Sequence, residues 1–178
     1  MMWTSLDTYC RQQDMAQLRA VDVTEVRPSQ ERPWTTVALQ FGVSARGERA
    51  KSGTDQGVIV DWDEVARRLL EKKGKLKPLD KMFPMAQQQF HKWWYAAGQA
   101  LGLELPPPHS LRHAGPSRDA FLHIRDLNEI QKRGRWEALS SVKRYSKPSW
   151  YAAVLARTPE AVMAAGEKIL AGMVRRTA

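Results

Sequence analysis

The sequence is poor in the residues that build metal centres and covalent staples. It holds one cysteine, Cys10, and four histidines, at positions 91, 109, 113 and 123. A single thiol can form no intrachain disulfide, and its isolation fits a reducing compartment. No Cys-x-x-Cys or His-Glu-x-x-His spacing occurs, which argues against a zinc site, so neither metal nor cofactor is expected. No run of about eighteen uncharged apolar residues exists, and the opening Met-Met-Trp-Thr-Ser-Leu-Asp lacks the basic segment and apolar stretch of a secretory signal. The expectation is a soluble intracellular protein with no membrane partner. Internal repeats and low-complexity tracts are missing as well.

Positive charge is what the chain has in excess. Lys and Arg number 28 against 19 Asp and Glu, a formal net charge of +9. That balance favours a polyanionic partner met by Lys and Arg on backbone phosphates, although charge alone does not separate nucleic acid from a membrane surface. A length of 178 residues suits one domain, residues 1–178, able to bury about two-thirds of its unfolded surface in one core.

Periodicity predicts a mainly helical chain with a small sheet. Residues 6–20 read as a helix, with Leu6, Cys10, Leu18 and Val21 on a loosely apolar side. Val23 to Gln30 is turn-like, and Trp34 to Phe41 alternates with Val37, Leu39 and Phe41 on one face, as a half-buried strand does. Glycines at 42, 47, 53 and 57, followed by Val58-Ile59-Val60, suggest a three-stranded antiparallel meander over 34–61, with Lys51 near its second turn. Asp61 or Asp63 can cap a helix that turns Val65, Leu69 and Leu70 inward and ends at Gly74. Residues 74–84 form a basic surface loop, and Phe90, Trp94, Ala97 and Leu101 mark an amphipathic helix. Helices are expected near 110–123, 126–133 and 138–146, the last carrying Tyr145. A final one over 159–175 starts at Thr158-Pro159-Glu160, with Val162, Ile169, Met173 and Val174 along one side.

Residues suited to phosphate chemistry gather late in the chain. His109 and Arg112 are three apart and share a face on the first turn of a helix, while Tyr145 follows Trp136 by nine residues and has Lys143 and Arg144 as neighbours. A paired His and Arg with a later Tyr suggests a nucleophile and its oxyanion clamp. Taken singly each has an ordinary reading: Trp136 as core, Arg11 as the partner of Asp14 on a helix surface for about 0.3–0.5 kcal/mol.

In order, His109-x-x-Arg112, Trp136 and Tyr145 resemble the tyrosine recombinases, or phage-type integrases. The likeness extends upstream, where Arg11, Asp14, Leu18, Arg19 and Asp22 are similar to that family's first catalytic block, and Lys51, before Ser52-Gly53-Thr54, stands where the family keeps its catalytic Lys. It covers about residues 5–150. The resemblance implies an α+β, mainly α-helical catalytic domain with a small three-stranded antiparallel sheet. It also implies DNA breakage and rejoining through a 3′-phosphotyrosyl intermediate, with double-stranded DNA as partner, no small-molecule substrate, and protomers assembling on the DNA in the nucleus or bacterial cytoplasm.

On that resemblance Tyr145 is the nucleophile, Arg11 and Arg112 hold the phosphate, His109 assists deprotonation, Lys51 protonates the leaving oxygen and Trp136 donates its indole N–H. His113 either supports the site or packs in the core. Pro116 is expected only within the first turn of its helix. With Arg11 so near the start, the family's N-terminal core-binding domain is expected to be missing. The 159–175 helix is expected to dock on a neighbouring protomer or fold back on its own domain. Two alternatives stand beside the enzyme: a truncated, catalytically silent DNA-binding remnant of a mobile element, and a basic helical interaction protein.

Overall fold

The computed structural model describes residues 1–30, 35–48, 50 and 53–173. Its elements run α1 (Met2–Thr8), α2 (Gln12–Gln17), β1 (Val23–Val26), β2 (Thr36–Phe41), β3 (Gln56–Val60), α3 (Asp63–Lys73), α4 (Gln87–Ala100), α5 (Leu111–Phe121), α6 (Leu127–Gly134), α7 (Leu139–Tyr145), α8 (Pro148–Arg157) and α9 (Glu160–Ala171). The fold is α+β and mainly helical, with one antiparallel sheet in the order β1-β2-β3. None of the described helices is long and apolar enough to cross a membrane.

The expected helix over 6–20 is two helices and a turn, because carboxylates capture backbone donors that a continuous helix would need. Asp14 accepts from the Arg11 amide at 3.1 Å and Asp22 from the Arg19 amide at 2.9 Å, the local competition that makes Asp a poor mid-helix residue. Between α1 and α2, Tyr9 turns left-handed, with φ of 55°.

The sheet is a meander, but its first strand lies earlier than expected. The segment read as turn-like contains β1, paired Val23 to Leu39 through Val26 to Thr36, and β3 pairs Val60 to Val37 through Gln56 to Phe41. Only Val23 of β1 faces the core, so the strand shows no alternation. Val37, Leu39 and Phe41 are buried as their period predicts. Trp34, Lys51 and Val174 lie outside the described residues.

Two apolar cores result. The larger joins Met15 and Leu18 with Val37, Leu39, Val60, Trp62, Val65 and Leu69. The smaller, under α5 to α7, consists of Tyr9, Ile130, Trp136 and Val142, with Tyr145 packed on it. Helix α3 matches its expected span and buried face. On α4 the expected apolar stripe is buried only at Phe90; Leu101 is 55% exposed, since the chain doubles back and the Leu103 amide donates to the Gly98 carbonyl at 2.8 Å. Pro116 sits mid-helix in α5 rather than in the first turn, a cost in one backbone hydrogen bond offset by the packing of both helix faces.

Helix α6 starts at a complete capping box: the Asp126 carboxylate accepts from the Asn128 and Glu129 amides, and Glu129 accepts from the Asp126 amide. Helix α8 is an unexpected element, although Pro148 at its first position is a helix-start signal. The end of α9 folds back: Leu170 and Met173 pack on the larger core, whereas Ile169, expected inward, is 51% exposed.

A buried ionic network ties the pieces that carry the smaller core. Asp7 accepts from the Asp61 and Trp62 amides at 3.0 and 3.3 Å and pairs with Arg133 at 2.8 Å. Arg125 bridges Asp61 and Asp119, and Asp119 also accepts from the Tyr9 hydroxyl. These contacts join α1, the β3–α3 junction, α5, the segment before α6 through Arg125 and the last turn of α6 through Arg133. Such charges are tolerated in a protein interior only when paired and hydrogen-bonded.

Candidate functional site

Arg112 lies in the first turn of α5 and is 1% exposed. One terminal nitrogen donates to the Tyr9 carbonyl and the other to the Gly134 carbonyl at 3.1 Å. Its guanidinium carbon is 4.9 Å from the Trp136 ring centre and 5.3 Å from that of Tyr145. Its Nε has no hydrogen-bond partner. Burial, and then the positive charges of Arg11 and Arg135, push its pKa down to about 10; the group still carries its charge at neutral pH. Among the described residues no carboxylate lies within salt-bridge distance of Arg112 or Arg11, an arrangement that leaves a positive centre short of anions.

Tyr145 ends α7 with its ring stacked on Trp136, centroids 5.0 Å apart at 14°, and Trp136 in turn stacks on Tyr9 at 6.3 Å and 21°. Gly134 makes the stack possible: a Cβ there would fall 2.2 Å from the Trp136 ring. Gly115 plays the same part between helices, since its Cβ would meet the Leu6 carbonyl at 2.3 Å where α1 crosses α5. The Trp136 indole Nε1 is buried and without a partner.

Two imidazoles flank the phenol. His113 lies 4.7 Å from the Tyr145 ring centre and His109 lies 6.3 Å away, the two imidazoles being edge-on at 5.5 Å. Burial lowers the His113 pKa, His109, Lys147 and Arg112 lower it further, and a hydrogen bond with the Tyr145 backbone opposes them. His113 is therefore half-buried against the tyrosine, whereas His109 is exposed at the cavity edge.

Arg11, the residue before α2, has a buried Nη1 with no partner. It lines a cavity of about 290 Å³ together with Gln12, His91, His109 and Tyr145. A larger concavity of about 350 Å³, between Thr35, Asp63, Arg67 and Gly172, holds none of these groups. Convergent chemistry rather than size singles out the smaller one.

Five of the six residues expected from the sequence, Arg11, His109, Arg112, Trp136 and Tyr145, thus surround one site; Lys51 lies outside the described residues. Others were not foreseen. Tyr9 holds Arg112 through its carbonyl and Trp136 through its ring. Arg135, left-handed at φ 55°, donates to the Cys10 thiol at 3.3 and 3.4 Å and sits 4.9 Å over Phe41. Gln12 meets His91 at 3.3 Å across α2 and α4. All three depend on contacts between distant parts of the chain.

No protein-family model matches this sequence, and a search of curated proteins also finds no match. Solved structures do resemble its fold. The site-specific recombinase XerH bound to difH substrate, in a pre-cleavage complex, superposes with a TM-score of 0.59 at 17% identity, over 81% of this chain and 40% of that one. Its post-cleavage complex on palindromic difH substrate gives 0.60 at 16%, over 86% and 43%. The XerA recombinase gives 0.54 at 16%, over 88% and 57%. The present chain therefore spans between two-fifths and three-fifths of the length of these proteins. The likeness is one of architecture: the α+β fold described above is that of a recombinase catalytic domain.

Proposed function

We propose that this domain cleaves and rejoins double-stranded DNA by a tyrosine-recombinase mechanism. One observation carries the reading: of the five buried side-chain polar atoms without partners among the described residues, three are donors on Arg11, Arg112 and Trp136, all grouped about Tyr145, and a fourth is on Gln12 of the same cavity, with Ser5 Oγ the one that lies elsewhere. Leaving a buried donor unsatisfied costs about 1–3 kcal/mol each. A non-bridging phosphate oxygen would satisfy them, and the charge gained in a pentacovalent transition state would strengthen those bonds further.

In this mechanism the Tyr145 oxygen attacks the phosphorus, forming a 3′-phosphotyrosyl bond as the bond to the 5′ oxygen breaks. The phenol proton passes to His109, and Lys51 gives a proton to the departing 5′ oxygen. A neutral phenol is a weak nucleophile, and transfer of its proton to a neighbouring base activates it. Rejoining is the reverse step on another strand's 5′-hydroxyl, and the phosphotyrosyl bond conserves the energy for it. Removing either guanidinium is expected to cost about 3–4 kcal/mol, roughly a hundred- to thousand-fold in rate.

The net charge of +9 supports DNA as partner, with log affinity falling against log salt by about 0.9 per neutralised phosphate. The test is trapping on a nicked suicide duplex. A covalent protein–DNA adduct that disappears in Tyr145→Phe supports the enzyme. Duplex binding without any adduct would leave a DNA-binding domain devoid of chemistry, and a flat salt dependence would remove DNA altogether.

A further inference from the structure

The last carbonyls of a helix need partners from outside it, and for α7 the partner comes from another helix. The Ser117 hydroxyl, on a fully buried residue of α5, donates to the Tyr145 carbonyl at 3.3 Å. The same oxygen accepts from the Lys147 amide at 2.8 Å. The His113 imidazole, one turn earlier on α5, also hydrogen-bonds the Tyr145 backbone, but the Ser117 hydroxyl alone both closes the C-terminus of α7 and fixes the first residue before α8. A second tie runs the other way, from the Ser146 hydroxyl to the Pro116 carbonyl at 3.4 Å.

Tyr145 is the residue pinned at this junction. Its ring is held separately, by the stack on Trp136. Backbone and ring are therefore both referred to α5 and its contacts, and Arg112 is on the same helix five residues earlier.

We propose, on the functional reading above, that Ser117 is a positioning residue for the Tyr145 nucleophile: its hydroxyl fixes the backbone that carries the phenol relative to the Arg112 guanidinium. Ser117 touches neither phosphate nor proton. It sets where the phenol stands, and misplacement of a reacting group by about 1 Å costs on the order of 10²-fold in rate.

The test compares wild type, Ser117→Ala and Ser117→Thr, the last retaining the hydroxyl. Two quantities are read: hydrogen exchange along the full chain, and single-turnover adduct formation against duplex concentration on a nicked suicide substrate. In Ser117→Ala, exchange over 143–150 is expected to rise about tenfold, the worth of one lost hydrogen bond, with the sheet over 23–60 unchanged. The saturating rate falls by about 10–100-fold while the half-saturating duplex concentration stays within about twofold, and Ser117→Thr recovers most of the rate. Unchanged exchange and rate in Ser117→Ala overturn the proposal. So does loosening spread over the whole domain with duplex affinity lost in parallel, which is the signature of a purely structural serine. If wild type itself yields no adduct, the functional reading fails on its own, and exchange alone decides the clamp: loosening confined to 143–150 supports it, and none refutes it.

Discussion

Replacing Gly134 by alanine sets two opposing effects against each other. Gly134 ends α6 in helical conformation, where alanine is favoured over glycine by about 0.8–1 kcal/mol. Against this, the new methyl would stand 2.2 Å from Trp136 Cε3 and Cζ3 and 2.6 Å from Cη2, well inside carbon–carbon contact, so the ring must shift by more than about 1 Å. The ring has little freedom to do so, lying between Tyr9 and Tyr145 with the Arg112 guanidinium at 4.9 Å. Overpacking of this kind costs about 1–3 kcal/mol. The ring's lack of freedom puts the clash above the low end of that range, so it outweighs propensity by up to about 2 kcal/mol, a fall in Tm of up to about 8 °C. Because Tyr145 moves with the indole, adduct formation should fall about 100-fold. Gly166→Ala in α9 provides the control: nothing lies within 4 Å of a Cβ there, so propensity acts alone and Tm rises by about 2–4 °C. Thermal melting and suicide-substrate trapping read both variants. A Gly134→Ala protein that melts at or above wild type and forms adduct at the same rate would refute the stacking argument.

Other perturbations separate chemistry from architecture. Arg11→Ala should lower adduct formation by about 10²–10³-fold with Tm unchanged within about 2 °C, since the side-chain donor it removes satisfies nothing in the free domain; a large loss of Tm would assign Arg11 to the core instead. Asp119→Ala leaves Arg125 and the Tyr9 hydroxyl without their shared acceptor and should destabilise by about 3–5 kcal/mol, whereas Glu71→Ala, at an exposed and solvent-screened pair with Arg67, should leave the melting temperature essentially where it is; equal melting shifts would contradict the buried network. His113 titrates below its usual 6.5 in the fold, so its unfolded form binds the proton more readily. Its contribution is complete above pH 6.5 and is lost as pH falls through the lower folded value. The Tm difference between wild type and His113→Gln should therefore shrink on acidification from pH 7 to 5, and a difference constant across that range would rule this linkage out.

The sequence discloses those parts of the fold that depend on local pattern. Helix α3 has its inward Val65 and Leu69 at helical spacing, and α9 begins at Glu160 within the expected Thr158-Pro159-Glu160 start, although Pro159 is its N-cap and the Thr158 hydroxyl, expected as the cap, instead donates to the Val154 carbonyl at the end of α8. Strand β1 escapes such a reading because one side chain, Val23, meets the core while Thr24, Glu25 and Val26 face outward. The break at Tyr9 escapes it too, since the left-handed turn is stabilised by a hydroxyl contact to Asp119, 110 residues away. Arg11, His109, Arg112, Trp136 and Tyr145 were recognisable from residue type and order. Their supports were not: Tyr9 reads as an ordinary buried aromatic, Ser117 as a helix serine and Gly134 as a helix terminus until the folded chain brings each against Arg112, Trp136 or Tyr145.

Strand-specific labelling tests most directly the bond proposed for Tyr145. A suicide duplex is labelled at the 5′ end of the cleaved strand in one sample and at its 3′ end in another, and the covalent product is digested to locate the modified peptide. The expected result is the 5′ label retained on the protein, the 3′ label released, and the nucleotide on the peptide containing Tyr145. Retention of the 3′ label, attachment at another residue, or an adduct that persists in Tyr145→Phe would contradict it.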